Sequence, residues 1–161
     1  MAQGGYRIID EPTGGRLADW AVKPMWPLLG LMFGGGFLAW PWFIFNAWAL
    51  SSATRRREVA WAIAGALGPP LIVLAGIYGM IAAGFETGVG RYVMLVGIGW
   101  KLLAAYMIHA TQERSAELHS HFGGETRSGF IPLILGFIGR AALARAVADS
   151  PWLAVALSGF L

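Results

Sequence analysis

Two long runs of apolar residues, separated by a short basic segment, dominate the hydropathy pattern of this chain. Residues 24–54 contain no charged side chain, and after Arg55, Arg56 and Arg57 a second uncharged run covers residues 59–85. The hydrocarbon core of a bilayer is about 30 Å thick, so about 20 apolar residues in a helix are enough to cross it. Both runs exceed that length. The pattern therefore predicts a polytopic helical membrane protein.

The pattern predicts three transmembrane helices, at residues 29–50, 58–83 and 90–109. The first contains Gly34, Gly35 and Gly36 as well as Pro41, so a helix broken at the glycines is the alternative to the single span expected here. Pro69 and Pro70 lie near the middle of the second. They predict a kink there, because proline removes a backbone N–H and frees a carbonyl one turn earlier.

The remaining segments are less apolar. Residues 1–28 are predicted to form an N-terminal tail with an interfacial piece, and residues 110–129 a polar loop or an extension of the third helix. Residues 130–161 contain Arg140 and Arg145, and two interpretations stay open: a fourth, tilted span, or an interfacial helix followed by a re-entrant segment. The expected fold class is all-α, with one membrane domain over residues 1–161.

Charge sets the expected orientation. The net charge is +3, but the basic residues are scattered or lie at span ends, where they suit lipid headgroups better than nucleic acid. The tendency of basic loops to stay inside places Arg55–Arg57 in the cytoplasm. If the spans alternate, the N-terminus lies outside. The chain contains no cysteine, which excludes disulfides and thiol redox chemistry within it.

Lys101 is the candidate residue with the clearest physical argument, because it lies near the middle of the third predicted span. An ionisable side chain at that depth is costly and usually faces protein or water. Gly97, Ala104 and Ala105 lie one turn away on the same face. Three roles remain open: a hydrogen bond to the carbonyls freed by the prolines, at Gly65 or Ala66; an ion pair with an acidic residue of a partner subunit; or a place on an anion or proton path.

Two further sets of residues are structural candidates. Asn46 is interpreted as an interhelical hydrogen-bonding residue and, with Lys101, as a possible partner or ion contact. Small residues and prolines in the second and third spans predict close helix packing, at Gly65, Gly68, Pro69, Pro70 and Gly97.

Histidines and glutamates recur at four-residue spacing after the third span, at His109, Glu113, Glu117 and His121. On a continuous helix these side chains share one face, and imidazole and carboxylate are ligands for zinc, iron or manganese. A solvated helix face explains the pattern better, so the metal site stays a weak alternative. No cofactor is expected.

Short motifs carry one resemblance. The run Phe33-Gly34-Gly35-Gly36, then Asn46-Ala47-Trp48-Ala49-Leu50, and later His121-Phe122-Gly123-Gly124 with Ser128-Gly129 resembles a pattern in uncharacterised bacterial multi-pass membrane proteins. The resemblance implies a bacterial origin and a helical membrane fold. For a bacterial multi-pass protein the expected location is the inner (cytoplasmic) membrane. The resemblance implies nothing about mechanism.

The expected function is a non-enzymatic integral membrane subunit or assembly partner of a larger membrane complex. The alternative is a small homo-oligomeric transporter or channel-like protein with Lys101 on an anion or proton path. The expected surroundings are a lipid bilayer and either a partner subunit or further copies of the chain.

Overall fold

The computed structural model describes residues 17–84 and 90–161, and the regular structure within these residues is helical throughout. The all-α membrane fold predicted from the sequence is confirmed. Predictions about residues 1–16 and about the turn at 85–89 fall outside the described residues. The part of the chain that the structure describes contains six α-helices: α1 (Met25–Leu29), α2 (Gly36–Ala49), α3 (Arg55–Ala83), α4 (Gly90–His121), α5 (Phe130–Val147) and α6 (Pro151–Ala156).

Three of these helices are long and apolar enough to cross a membrane: α3, α4 and α5. Two of them match predicted spans, but the third is α5, which the sequence left open, and not the segment at residues 29–50. α4 continues as far as His121. Most of the polar stretch at 110–129 is therefore a helical extension of the third predicted span, and the loop begins only after it.

The segment expected as a single span over residues 29–50 is not one continuous helix, and the structure has the alternative, a break at the glycines. α1 continues into a π-helical turn (Gly30–Gly34) and the helix then breaks at Gly35, whose φ of 89° lies in the left-handed region that favours glycine. At 1.5 Å per residue, the arm from Met25 to Gly34 is about 15 Å long and α2 is about 21 Å long, so neither crosses a bilayer core.

The two arms pack antiparallel as a hairpin, which we call the N-terminal hairpin (residues 22–50). The ring of Trp42 lies against Gly30, with a ring carbon 3.3 Å from where a Cβ would be. At the open end of the hairpin Ala21 packs against Ala49 and Leu50. The hairpin therefore enters and leaves at the same end of the bundle.

This end of the bundle is the one at which Arg55–Arg57 lie, and we call it the arginine end. Residues 17–22 belong to it too, since the backbone N–H of Val22 donates to Asn46 Oδ1 at 2.9 Å. The prediction of an N-terminus on the opposite side relied on a crossing at 29–50. In the structure the chain reverses at Gly35, so residues 17–22 lie at the same end of the bundle as the arginines.

The last part of the chain combines both elements that the sequence left open for residues 130–161. α5 is long enough to span a membrane. It passes the tip of the N-terminal hairpin, where the backbone of Gly136 lies close to Gly34. After α6, residues 157–161 return into the bundle, and Phe160 packs against its core. This C-terminal segment (residues 157–161) is re-entrant.

The core lies where α2, α3 and α4 meet. Phe43, Ile108 and the small side chains around them are fully buried. The predicted packing residues lie at these contacts: Gly65 faces the ring of Trp40, Gly68 the ring of Trp100, and Gly97 faces Pro69. α3 remains helical through Pro69 and Pro70.

Candidate functional site

A fully buried polar network lies at the arginine end, where α2, α3 and α4 converge. Its members are Glu58, Gln112 and Asn46, which are 1%, 0% and 0% exposed. Buried polar groups are costly unless they are hydrogen-bonded, so the partners of these three side chains decide what the network does.

The Glu58 carboxylate accepts hydrogen bonds on both oxygens. Ser52 Oγ and Thr54 Oγ1 donate to Oε1, the latter at 2.7 Å, and Gln112 Nε2 donates to Oε2 at 2.8 Å. Three donors surround this carboxylate, and within the described residues it has no ion pair. Its negative charge is held by hydrogen bonding.

Gln112 and Asn46 extend the network into the N-terminal hairpin. Gln112 Nε2 also donates to the Phe43 carbonyl at 2.7 Å, and Asn46 Nδ2 donates to Gln112 Oε1 at 3.0 Å. Together with the Val22–Asn46 bond, these contacts join the open end of the hairpin to α3 and α4. The network holds the open end of the hairpin against α3 and α4.

Sequence reasoning identified only one member of this network. Asn46 was predicted as an interhelical residue and as a partner or ion contact; its amide makes interhelical bonds, and its burial leaves it inaccessible to a partner. Glu58 and Gln112 were missed. Glu58 lies in the first turn of α3, where a negative charge is favourable, and this position was the available signal for its role.

A second polar cluster lies halfway along the bundle, where the C-terminal segment meets the N-terminal hairpin. Lys101 Nζ donates to the Ser158 carbonyl at 3.0 Å, Trp40 Nε1 to the Gly159 carbonyl at 2.9 Å, and the Phe37 N–H to the Phe160 carbonyl at 2.9 Å. Non-helical backbone at membrane depth needs such partners because water is absent. These donors satisfy three successive carbonyls.

Lys101 therefore has a structural hydrogen bond, but not to the carbonyls expected. The prolines free the carbonyls of Gly65 and Ala66, and the sequence pointed to them as acceptors. In the structure the Ala66 carbonyl oxygen lies against Gly159. The Lys101 ammonium donates its hydrogen bond to the Ser158 carbonyl instead. The neighbours predicted for its face, Gly97, Ala104 and Ala105, are buried.

Arg140 is the other cation of this region, and the sequence pointed to it only as an interruption of an apolar run. It lies ten residues after Phe130, about 15 Å along α5, and its side chain is exposed. Nη1 donates to the carbonyls of Met32 and Phe33 at 3.3 and 3.5 Å. These carbonyls belong to the π-helical turn, so Arg140 caps the descending arm of the hairpin.

The cluster is rich in donors. Arg140 acts electrostatically on Lys101 with the same sign of charge, and in the part of the chain that the structure describes neither cation has an acidic partner. Ser158 Oγ is buried and has no hydrogen-bond partner among the described residues. The cluster therefore carries positive charge that no acidic side chain of the described residues neutralises.

The four-residue stripe on α4 lies on one face, as predicted from its spacing. His109, Glu113, Glu117 and His121 line one groove of about 580 Å³, and His109 Nε2 lies 3.7 Å from Glu113 Oε2. However, residues 17–84 and 90–161 contain no group of three or more potential ligands close enough to hold a metal ion. Within the stripe, the printed ionic contact is the one between His109 and Glu113.

Comparisons with protein-family models, with curated proteins and with solved structures found no match to this chain.

Proposed function

We propose that this chain is a non-enzymatic integral membrane subunit or assembly partner of a larger complex in the bacterial inner membrane. The observation that carries the proposal is Arg140, a cation exposed at the outer surface of α5 at about half the depth of the bilayer. Such a charge is expensive in lipid, by about 2.5–3.5 kcal/mol on insertion scales. An acidic side chain from a neighbouring subunit would remove that cost.

The surroundings of Arg140 fit a protein neighbour. Of the residues in the most apolar stretch of each helix, only 11% are buried within the chain in α5, against 28% in α3 and 22% in α4. Both bonds to the Met32 and Phe33 carbonyls use Nη1. The remaining guanidinium donors are available for a carboxylate, which arginine binds with two parallel hydrogen bonds.

Co-purification tests the proposal. The chain is isolated from its native membrane in a mild detergent, and co-purifying proteins are identified by mass spectrometry. We expect a stoichiometric partner with an acidic residue within a span, and its recovery should fall by about tenfold or more in Arg140→Gln, as loss of a charged hydrogen-bonded pair predicts.

Arg145→Gln is the matched control, because Arg145 is also exposed on α5 but lies one turn or more further along. It should retain the partner. Far-UV circular dichroism and gel filtration establish that both variants fold. Equal recovery of the partner with folded Arg140→Gln, or recovery of the wild type without any partner, would overturn the proposal.

The alternative function, a homo-oligomeric transporter or channel-like protein, is supported by a different observation. Two re-entrant segments meet beside Lys101, and broken helices at membrane depth are typical of substrate and ion sites in transporters. In that case the purified chain is a homo-oligomer, and Lys101→Met abolishes anion or proton flux in liposomes. In a subunit the same substitution loosens the C-terminal segment, and there is no flux to abolish.

Orientation follows from the same proposal. The tendency of basic loops to remain inside places Arg55–Arg57 in the cytoplasm. Since residues 17–22 lie at the arginine end, they are then cytoplasmic too.

A further inference from the structure

A polar cavity and an apolar groove meet at Arg127, at the arginine end of the bundle. The cavity has a volume of about 470 Å³ and is lined by Asp19, His119 and Glu125 together with Arg127. The groove has a volume of about 660 Å³ and lies between α2 and the first turn of α5. Arg127 lines both, so a polar space and an apolar space adjoin at this side chain.

The cavity contains an unsatisfied buried group. His119 is only 7% exposed, and its Nε2 has no hydrogen-bond partner among the described residues. Buried polar atoms in native proteins are nearly always paired. Since Nε2 itself has almost no accessible surface and lies against Gly124, a polar ligand in the cavity would reach this nitrogen only after a shift of the loop at residues 123–125.

The groove has the dimensions and lining of a site for a hydrocarbon chain. Aromatic side chains of Trp42 and Phe45 form its upper wall, and it extends down to Phe37 near the tip of the N-terminal hairpin. From Phe45 to Phe37 the helix rises about 12 Å. The groove is thus apolar over nearly half of the bilayer core.

Arg127 is held in place but its charge is unpaired. Its backbone N–H donates to the Ala21 carbonyl at 2.7 Å, and its guanidinium lies over the ring of Trp20, 4.4 Å from the ring centre. Within residues 17–84 and 90–161 the side chain has no ion pair. A guanidinium in this state is suited to bind phosphate.

We propose that this site binds one phospholipid whose headgroup carries a primary ammonium, of the phosphatidylethanolamine type. The phosphate lies on Arg127, one acyl chain fills the groove, and the headgroup enters the cavity. Charge disfavours anionic lipids, because Asp19 and Glu125 attract an ammonium and repel an anionic headgroup. Hydrogen bonding then selects a primary ammonium over choline, because only the primary ammonium has N–H groups to donate to these carboxylates. A free phosphate ion would leave the groove empty.

Native mass spectrometry tests the site directly. The purified chain is placed in nanodiscs that contain equal amounts of phosphatidylethanolamine, phosphatidylglycerol and phosphatidylcholine, and is then released in the gas phase. We expect a one-to-one adduct with phosphatidylethanolamine. Arg127→Gln should reduce that adduct about tenfold, as loss of a charge-assisted phosphate contact predicts.

Arg114→Gln is the matched control, since Arg114 is exposed on α4 and lines neither the cavity nor the groove. It should keep the adduct. The double variant Asp19→Asn with Glu125→Gln should shift the preference towards phosphatidylglycerol. Equal binding of the three lipids by the wild type, or an undiminished adduct in folded Arg127→Gln, would overturn the proposal; the wild-type preference decides the matter if Arg127→Gln fails to fold.

Discussion

At the scale of single residues, the most demanding group is the Glu58 carboxylate. Removing a charge from water costs several kcal/mol, and this charge is compensated by donors from Ser52, Thr54 and Gln112. Each donor comes from a different position along the chain. The carboxylate therefore stabilises the loop before α3 and the contact between α3 and α4 at the same time.

Glu58→Gln tests this role. The new amide would place an NH₂ group against side chains that already donate, which leaves at least one buried donor without an acceptor. We expect the free energy of unfolding to fall by about 1–3 kcal/mol, measured by thermal or denaturant unfolding in detergent.

Glu117→Gln serves as the control, because Glu117 is exposed near the C-terminal end of α4. Its effect should stay within about 0.5 kcal/mol. If both substitutions have the same small effect, the network around Glu58 does not stabilise the fold.

The sequence predicts a residue when its signal is local and misses it when its role depends on partners that are distant in sequence. Lys101 was recognised because a charge within an apolar run is visible locally, and so was the small-residue face around it. Its acceptor could not be predicted, since Ser158 is 57 residues away and is brought near by the return of the C-terminal segment. Glu58 was missed because it lies next to three arginines, where a glutamate looks solvated.

At the scale of elements, glycines decide where the chain reverses and where segments approach closely. The number of apolar residues at 29–50 is compatible with a single span and equally with a hairpin. The difference lies in Gly35, whose left-handed conformation reverses the chain and whose Cβ position is 2.9 Å from the Leu161 carbonyl. The break is therefore supported by a contact with a residue that is distant in sequence, and the local sequence pattern gives no sign of that contact.

Gly159→Ala tests the contact between the C-terminal segment and the bundle. A Cβ at this position would overlap the Ala66 carbonyl oxygen, and backbone on both sides prevents easy adjustment. We expect a loss of about 1–3 kcal/mol in unfolding free energy, as for other overpacked core positions, with faster hydrogen exchange over residues 157–161.

Gly79→Ala is the matched control, because it is also a glycine in a helix of the bundle but has no atom within 4 Å of the Cβ position. Alanine there should be neutral or stabilising, since it raises helix propensity. Equal stability of the two variants would show that residues 157–161 do not pack on Ala66.

At the scale of the whole molecule, two segments insert without crossing, one from each end of the bundle. The N-terminal hairpin enters from the arginine end, and the C-terminal segment returns from the end at which α5 finishes. Their tips meet beside Lys101 and Trp40. This arrangement satisfies the backbone groups at mid-depth by protein donors, and it leaves α5 with Arg140 on the outside.

Only the fold class of the overall architecture, a helical membrane protein, was fully predictable from the sequence. Hydropathy identified a helical membrane protein and two of the three helices of spanning length, because length and apolarity are local properties. The third, α5, was left open because Arg140 and Arg145 lower its apparent apolarity. Arg140 donates to carbonyls of the hairpin, a relation that only the folded molecule shows.

Side-specific cysteine labelling tests the central claim, that residues 22–50 enter and leave on one side. The chain has no cysteine, so Lys23→Cys, Arg56→Cys and Asp149→Cys each introduce one exposed thiol. In intact vesicles, a membrane-impermeable maleimide should label Lys23→Cys and Arg56→Cys from the same side and Asp149→Cys from the other. Labelling of Lys23→Cys and Arg56→Cys from opposite sides would contradict the hairpin.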